Sequence, residues 1–279
     1  MLIQKIKEFL IKLYFRVQEN ETAARGAQIS YFFLLSIFPF LIVLITLIDY
    51  TPLTQQYTLE QLELMLPEVT VNAVEQIVQE VEEVNSTTLL SVGILGTIGA
   101  ASRGTFILIK SINQAYNIRE NRSFLKMIIT QVFAILAMVL IILFTLGFLV
   151  FGRVIGEFIF QYMGLLAVFE VLWRIFSYVI PLLIILTVFF IFFLSSPNCR
   201  LKLEDVYPGA LASTLGWIIA SQLFAFFVNN FGNFSQIYGS IGGFIVFMIW
   251  IYISSMAVLL GGEINAMWYR ASNKSMGES

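Results

Sequence analysis

The sequence predicts an all-α, polytopic membrane protein with six transmembrane helices and both termini in the cytoplasm. Three observations predict it. The 279 residues are 58% hydrophobic and only 12% charged, about half the charge of an ordinary soluble domain. Stretches 26–48, 84–102, 127–152, 175–199 and 206–262 carry no charge at all, and a spanning helix needs about 20 apolar residues. Finally, lysine and arginine are distributed with a strong bias between alternate connections.

The spans follow in order. The first four uncharged stretches each hold one, and the last, 57 residues long, holds two, divided around Asn229, Asn230, Gly232, Asn233 and Gly239. The expected spans are 27–48, 88–110, 127–151, 176–196, 207–228 and 240–262. The apolar run 154–173 contains Glu157 and Glu170 and is bracketed by Arg153 and Arg174. It reads as an amphipathic helix at the interface. With the N-terminus inside, fourteen of the sixteen Lys and Arg fall on the cytoplasmic side, and only Arg153 and Arg174 fall outside. The positive-inside rule therefore fixes this orientation.

Three domains result: a cytoplasmic amphipathic segment 1–26, the transmembrane domain 27–266, and a short polar tail 267–279 expected to lack structure. In the first, Ile3, Ile6, Leu10, Leu13 and Val17 share one helical face, with lysines elsewhere. That pattern suits a basic helix on the cytoplasmic leaflet, drawn there by anionic lipid. The loop 49–87 has eight acidic residues and no Lys or Arg. Val74, Ile77, Val78, Val81 and Val84 recur in it at helical spacing. It reads as an outer helical cap whose acidic face is either solvated or attracts cations to an entrance.

Composition excludes several functions. The formal charge of −2 offers no global basic field for nucleic acid. The single cysteine, Cys199, cannot form an intramolecular disulfide. No histidine is present, which removes the commonest general base and zinc ligand. No cofactor motif or metal-ligand spacing is visible, so neither a cofactor nor a metal is expected.

Candidate functional residues come from polar groups near or within the spans, because burying them in a membrane is costly. Arg25, Arg103 and Glu263 should all lie near the cytoplasmic interface, with Glu263 either paired to Arg103 or Arg25 or snorkelling alone. Gln28 and Tyr31 at the start of span one join them, as do Asn113 and Tyr116 after span two. Asp205 before span five and Asn265 after span six complete a set that could line an inward-facing cavity. Pro39 and Pro181 lie within spans and should kink them. Small residues recur at Gly93, Gly96, Ala100 and Gly104, at Gly209, Ser213, Gly216 and Ala220, and at Gly239, Gly243, Ala257 and Gly261. Such stripes serve close helix packing, or a sliding surface in a transporter.

Four local motifs resemble one family. They are Ala27 to Ser36 (AQISYFFLLS) followed by Pro39, and Ser111 to Tyr116 (SINQAY) followed by Arg119 and Arg122. The third is Tyr207 to Ala210 (YPGA). The fourth is Tyr238 to Gly243 (YGSIGG), with Trp250 to Tyr252 (WIY) and Gly261 to Ala266 (GGEINA). In this order they resemble the YihY/virulence factor BrkB family of bacterial inner-membrane proteins, over residues 27–266. The resemblance implies six membrane helices with a cap after the first. Members have carried names as different as ribonuclease BN, serum-resistance factor and transporter, so it implies no single activity.

Two functions remain. One is translocation of a lipid, an ion or a small amphiphile, with the lipid bilayer and that substrate as the partners. The other is a non-transporting scaffold that docks protein partners on its amphipathic helix and acidic cap. A ribonuclease is rejected on chemistry: the histidine ligands are missing, and the acidic cluster from Glu75 to Glu83 repels phosphate. Nucleic acid is not an expected partner. The sequence does not specify an oligomeric state.

Overall fold

A computed structural model describes residues 2–49, 86–119, 152–231 and 241–277, with Arg122 and Ile129 besides. All regular structure among them is helical. The elements are α1 (Leu2–Glu19), α2 (Thr22–Asp49), α3 (Ser86–Ala115), α4 (152–162), α5 (Leu166–Ser195), α6 (Leu203–Phe231) and α7 (Ile241–Gly277). Five helices are long and apolar enough to cross a membrane, over Thr22–Val43, Ser91–Ala115, Leu166–Ser195, Leu203–Val228 and Gly242–Ser272. They correspond to five of the six expected spans. The remaining one, 127–151, lies outside the described residues except for Ile129, and the acidic cap does so except for Asp49 and the start of α3.

The distribution of side chains is that of a protein solvated by lipid. Leu95, Phe158, Val171, Leu183 and Leu223 are exposed, whereas Ser30, Ser111, Asn113, Ser213, Thr214, Glu263 and Asn265 are buried. The hydroxyls mostly satisfy themselves by bonding back to a carbonyl one turn earlier. Ser30 donates to Ala27, Ser36 to Phe33, Thr105 to Ala101, Ser111 to Ile107 and Thr214 to Ala210, at 2.7–2.9 Å. This is the normal lodging for Ser and Thr inside a helix, and it makes their burial unremarkable.

The chain divides into two units. One comprises residues 1–17, 112–216 and 260–279, and the other 18–111 and 217–259. In the second unit, glycines let α2 and α3 approach closely. A Cβ on Gly93 would lie 3.1 Å from the Pro39 carbonyl, one on Gly96 3.1 Å from the Pro39 ring, and one on Gly104 3.0 Å from the Phe33 ring. Gly26 packs likewise on Met256 and Tyr252 of α7. The helix-packing reading of the glycine stripe thus holds for Gly93, Gly96 and Gly104, while a Cβ on Gly243 would meet nothing within 4 Å among the described residues. Pro39 and Pro181 sit inside helices that continue through them.

The first unit departs from the sequence reading in two places. The interfacial helix expected over 154–173 is broken. Helix α4 ends at a turn in which Leu165 donates to Phe160 and Gly164 to Gln161, at 2.8 and 3.0 Å, with Gly164 at φ +71°. This is a Schellman cap, and its left-handed residue is glycine because a Cβ would be strained there. Glu170 and Arg174 therefore belong to α5, a 30-residue helix continuous with the span. Gly156 allows the ring of Phe169 to lie against α4. The second departure is the tail, which continues α7 to Gly277; no proline interrupts it, and alanine and methionine favour the helix.

Candidate functional site: a buried polar cluster

Three of the sequence motifs meet in the first unit. Pro208 cannot donate a backbone hydrogen bond, and the next N–H, that of Gly209, donates to Asn265 Oδ1 at 2.6 Å. The backbones of α6 and α7 touch there. A Cβ on Gly261 would stand 2.6 Å from the Gly209 carbonyl oxygen and would also strike the Ser213 hydroxyl. Only glycine at both positions permits the crossing, so the YPGA and GGEINA segments form one joint. Gly262 admits the side chain of Ile112, from the SINQAY segment.

The Asn265 bond fixes the orientation of its amide, because the Gly209 donor must face the oxygen. The Nδ2 group, on a fully buried residue, then has no hydrogen-bond partner among the described residues. The Tyr116 hydroxyl, on a residue 7% exposed, has none either. Its ring lies 5.7 Å from that of Tyr269, one turn beyond Asn265 on α7. Burial, with Cys199, Asp205 and Tyr269 nearby, pushes the Tyr116 hydroxyl above its ordinary range. Burial and Asp205 likewise raise the Cys199 thiol. Asp205 stands one turn before Gly209 on α6.

On another face of α7, Glu263 is 2% exposed. Arg16 of α1 donates to it through Nε at 2.8 Å, and through Nη2 to the carbonyl of Ala115 that ends α3. Arg270, two turns further along α7, donates to the same carbonyl at 2.8 Å. Two cations thus close the negative end of the α3 dipole. The last turn of α3 is completed by Asn117 at φ 58°, with Ile118 donating to the Asn113 carbonyl. The side-chain oxygen of Asn113 accepts the N–H of Asn198 at 2.8 Å, and Arg122 donates to the Ser196 carbonyl at 2.8 Å. These bonds hold the α5–α6 connection against the end of α3.

The nine expected site residues separate into two groups. Asn113, Tyr116, Asp205, Glu263 and Asn265 are all buried, and all belong to the first unit. Arg25, Gln28, Tyr31 and Arg103 belong to the second. Gln28, Tyr31 and Arg103 are exposed there, and Arg25 donates to the Asn20 carbonyl at 2.9 Å. Asp205 has a structural task as well. Its Oδ2 accepts the N–H of Lys202 at 2.7 Å, the returning half of a capping box at the start of α6. Arg16, which lay in the segment assigned to the membrane surface, is a partner of Glu263. The helix α1 presents Phe9, Leu13, Arg16 and Val17 as its less exposed side, a set spaced at i, i+4, i+7 and i+8. Arg16 falls within that arc, and this spacing is the signal that could have found it. Among the described residues no three His, Cys, Asp or Glu side chains gather to hold a metal.

Five helices long and apolar enough to cross a membrane, with amides, carboxylates and hydroxyls buried on them, define an integral, multi-pass membrane protein. Residues 13–278 match the family model described as Virulence factor BrkB, and the chain belongs to that family. It is 41% identical over 262 residues to a ribonuclease-like protein, YfkH, of Bacillus subtilis, covering 94% of this chain and 95% of that one. It is 25% identical to a UPF0761 membrane protein of Aeromonas salmonicida, over 90% of this chain and 85% of that one. A UPF0761 membrane protein of Haemophilus influenzae is also 25% identical, over 93% and 94% of the two chains. No solved structure matches.

Proposed function

We propose that this protein moves a polar or amphiphilic species, namely a lipid headgroup, an ion or a small amphiphile, across the membrane. In this reading the cluster of Asn113, Tyr116, Asp205, Glu263 and Asn265 contacts the species in transit. One observation carries it: two buried donors, Asn265 Nδ2 and the Tyr116 hydroxyl, lack acceptors among the described residues. A buried donor without a partner costs about 1–3 kcal/mol, and a bundle selected for stability alone would fill the position with an apolar side chain. Acceptor oxygens of a substrate would satisfy such donors. The reading involves no catalysis. The ribonuclease-like name belongs to the Bacillus relative, and this chain has no histidine with which to build a zinc-hydrolase ligand set.

The test is reconstitution of purified protein into liposomes. Lipid translocation is read by dithionite bleaching of NBD-labelled lipids, and ion movement by entrapped pH- and cation-sensitive dyes. Movement of one species above empty liposomes, reduced at least several-fold by Tyr116→Phe or Asn265→Leu, is expected. Protein that is folded yet moves none of them would overturn transport and favour the scaffold.

A further inference from the structure

Helix α1 has two faces that both have work to do. One presents Arg16 to Glu263. The other exposes Leu10 at 56%, Ile11 at 45%, Tyr14 at 60% and Phe15 at 64%. These four are spaced i, i+1, i+4 and i+5, so they form one continuous outward patch. It differs from the apolar face that periodicity alone selects, because Leu13 and Val17 turn towards the protein. Lys7 and Lys12 are exposed. The charge of Arg16 is engaged by Glu263, so the outward charges of α1 include Lys7 and Lys12 together with the exposed Glu8 and Glu19.

We propose that the outward patch of α1 is seated in the anionic lipid surface of the leaflet beside it, with Lys7 and Lys12 on headgroup phosphates, and that this seat keeps Arg16 on Glu263. The chemistry favours lipid over other occupants. The patch pairs two aliphatic side chains with Tyr14 and Phe15, and such aromatic side chains settle at headgroup level. Exposed lysines beside a shallow apolar face are the pattern of an interfacial helix drawn to anionic headgroups. The helix then acts as a strut. Its outer face reads the lipid, and its inner face delivers a guanidinium to a carboxylate that is 3% exposed. This holds whether or not anything is transported.

The test uses the whole protein with Cys199→Ser, which removes the native thiol, and Phe15→Cys labelled with NBD. The protein is reconstituted into nanodiscs of phosphatidylcholine, with or without phosphatidylglycerol. In the anionic discs the label should be blue-shifted, quenched by shallow doxyl-lipid and shielded from aqueous iodide. In the zwitterionic discs iodide quenching should rise several-fold, and Lys7→Gln with Lys12→Gln should abolish the difference. Equally strong iodide quenching in both discs would place the face in water and overturn the proposal, and equally weak iodide quenching with doxyl quenching in both would overturn its dependence on anionic headgroups. Shielding from both quenchers would mean that protein, a partner or a second copy, covers the face, and would overturn it equally. For the inner end, Glu263→Gln should raise iodide quenching at position 15 several-fold in anionic discs, and an unchanged value refutes the strut. If Glu263→Gln fails to give a monodisperse gel-filtration peak, Arg16→Gln breaks the same pair from the α1 side and is read the same way.

Discussion

Replacing either member of the Arg16–Glu263 pair should destabilise the protein by an amount the structure allows to be worked out. The guanidinium and carboxylate are 2.8 Å apart, with side-chain exposures of 16% and 3%. Removing one partner of a buried pair typically costs about 3–5 kcal/mol, because the survivor keeps its desolvation without its counter-charge. In Glu263→Met, Arg16 retains the Ala115 carbonyl and some water. The lower end, about 3 kcal/mol, is therefore expected. Arg16→Met takes the counter-charge from the more deeply buried side chain and also removes a donor to the Ala115 carbonyl, and should cost at least as much. The double variant with methionine at both positions removes both desolvation penalties and should recover to within about 1 kcal/mol of wild type. The assay is unfolding by SDS titration in mixed micelles, followed by the fluorescence of the four tryptophans. Single variants within about 0.5 kcal/mol of wild type would refute the reasoning. A double variant as unstable as the two singles summed would refute it too, since the sites would then be independent.

Other predictions concern packing, satisfaction and reactivity. Gly209→Ala and Gly261→Ala drive a methyl group into the opposite backbone and should each cost about 1–3 kcal/mol or more. Gly243→Ala meets nothing within 4 Å and should be neutral, or stabilising by up to about 1 kcal/mol through helix propensity. Thermal unfolding in detergent would compare the three. Tyr116→Phe deletes an unpartnered hydroxyl, so stability should hold or rise while liposome transport falls; a parallel loss of both would assign the hydroxyl a structural role. The Cys199 thiol is pushed up by burial and by Asp205, so less of it is thiolate at neutral pH. Its alkylation by iodoacetamide should be slower than that of a free thiol and should accelerate only at more alkaline pH. Asp205→Asn lowers the thiol pKa and should speed the reaction at fixed pH; an unchanged or slower rate would contradict the assigned cause.

Much of the architecture was legible because the bilayer imposes a one-dimensional constraint. Absence of charge over about 20 residues marks a span wherever its neighbours lie, and five of the six expected spans are helices among the described residues. The segment 154–173 was misread because composition alone does not reveal a conformational break. Gly164 could have sat anywhere in a helix, and only its positive φ shows the reversal. For the site, burial cost pointed to Asn113, Tyr116, Asp205, Glu263 and Asn265. It could not separate them from Gln28, Tyr31 and Arg103, which belong to similar sequence surroundings yet are exposed.

By itself, then, the sequence determined the solvent of this protein, the five spans that the structure describes and the residues too polar to lie in lipid without a reason. The tertiary structure decided who satisfies them. Arg16 reaches Glu263 across 247 positions of sequence, and Gly209 meets Asn265 across 56. Partnership depends on helix rotation and on a crossing that two glycines allow. Those are properties of pairs of helices, whereas hydropathy is a property of each helix alone.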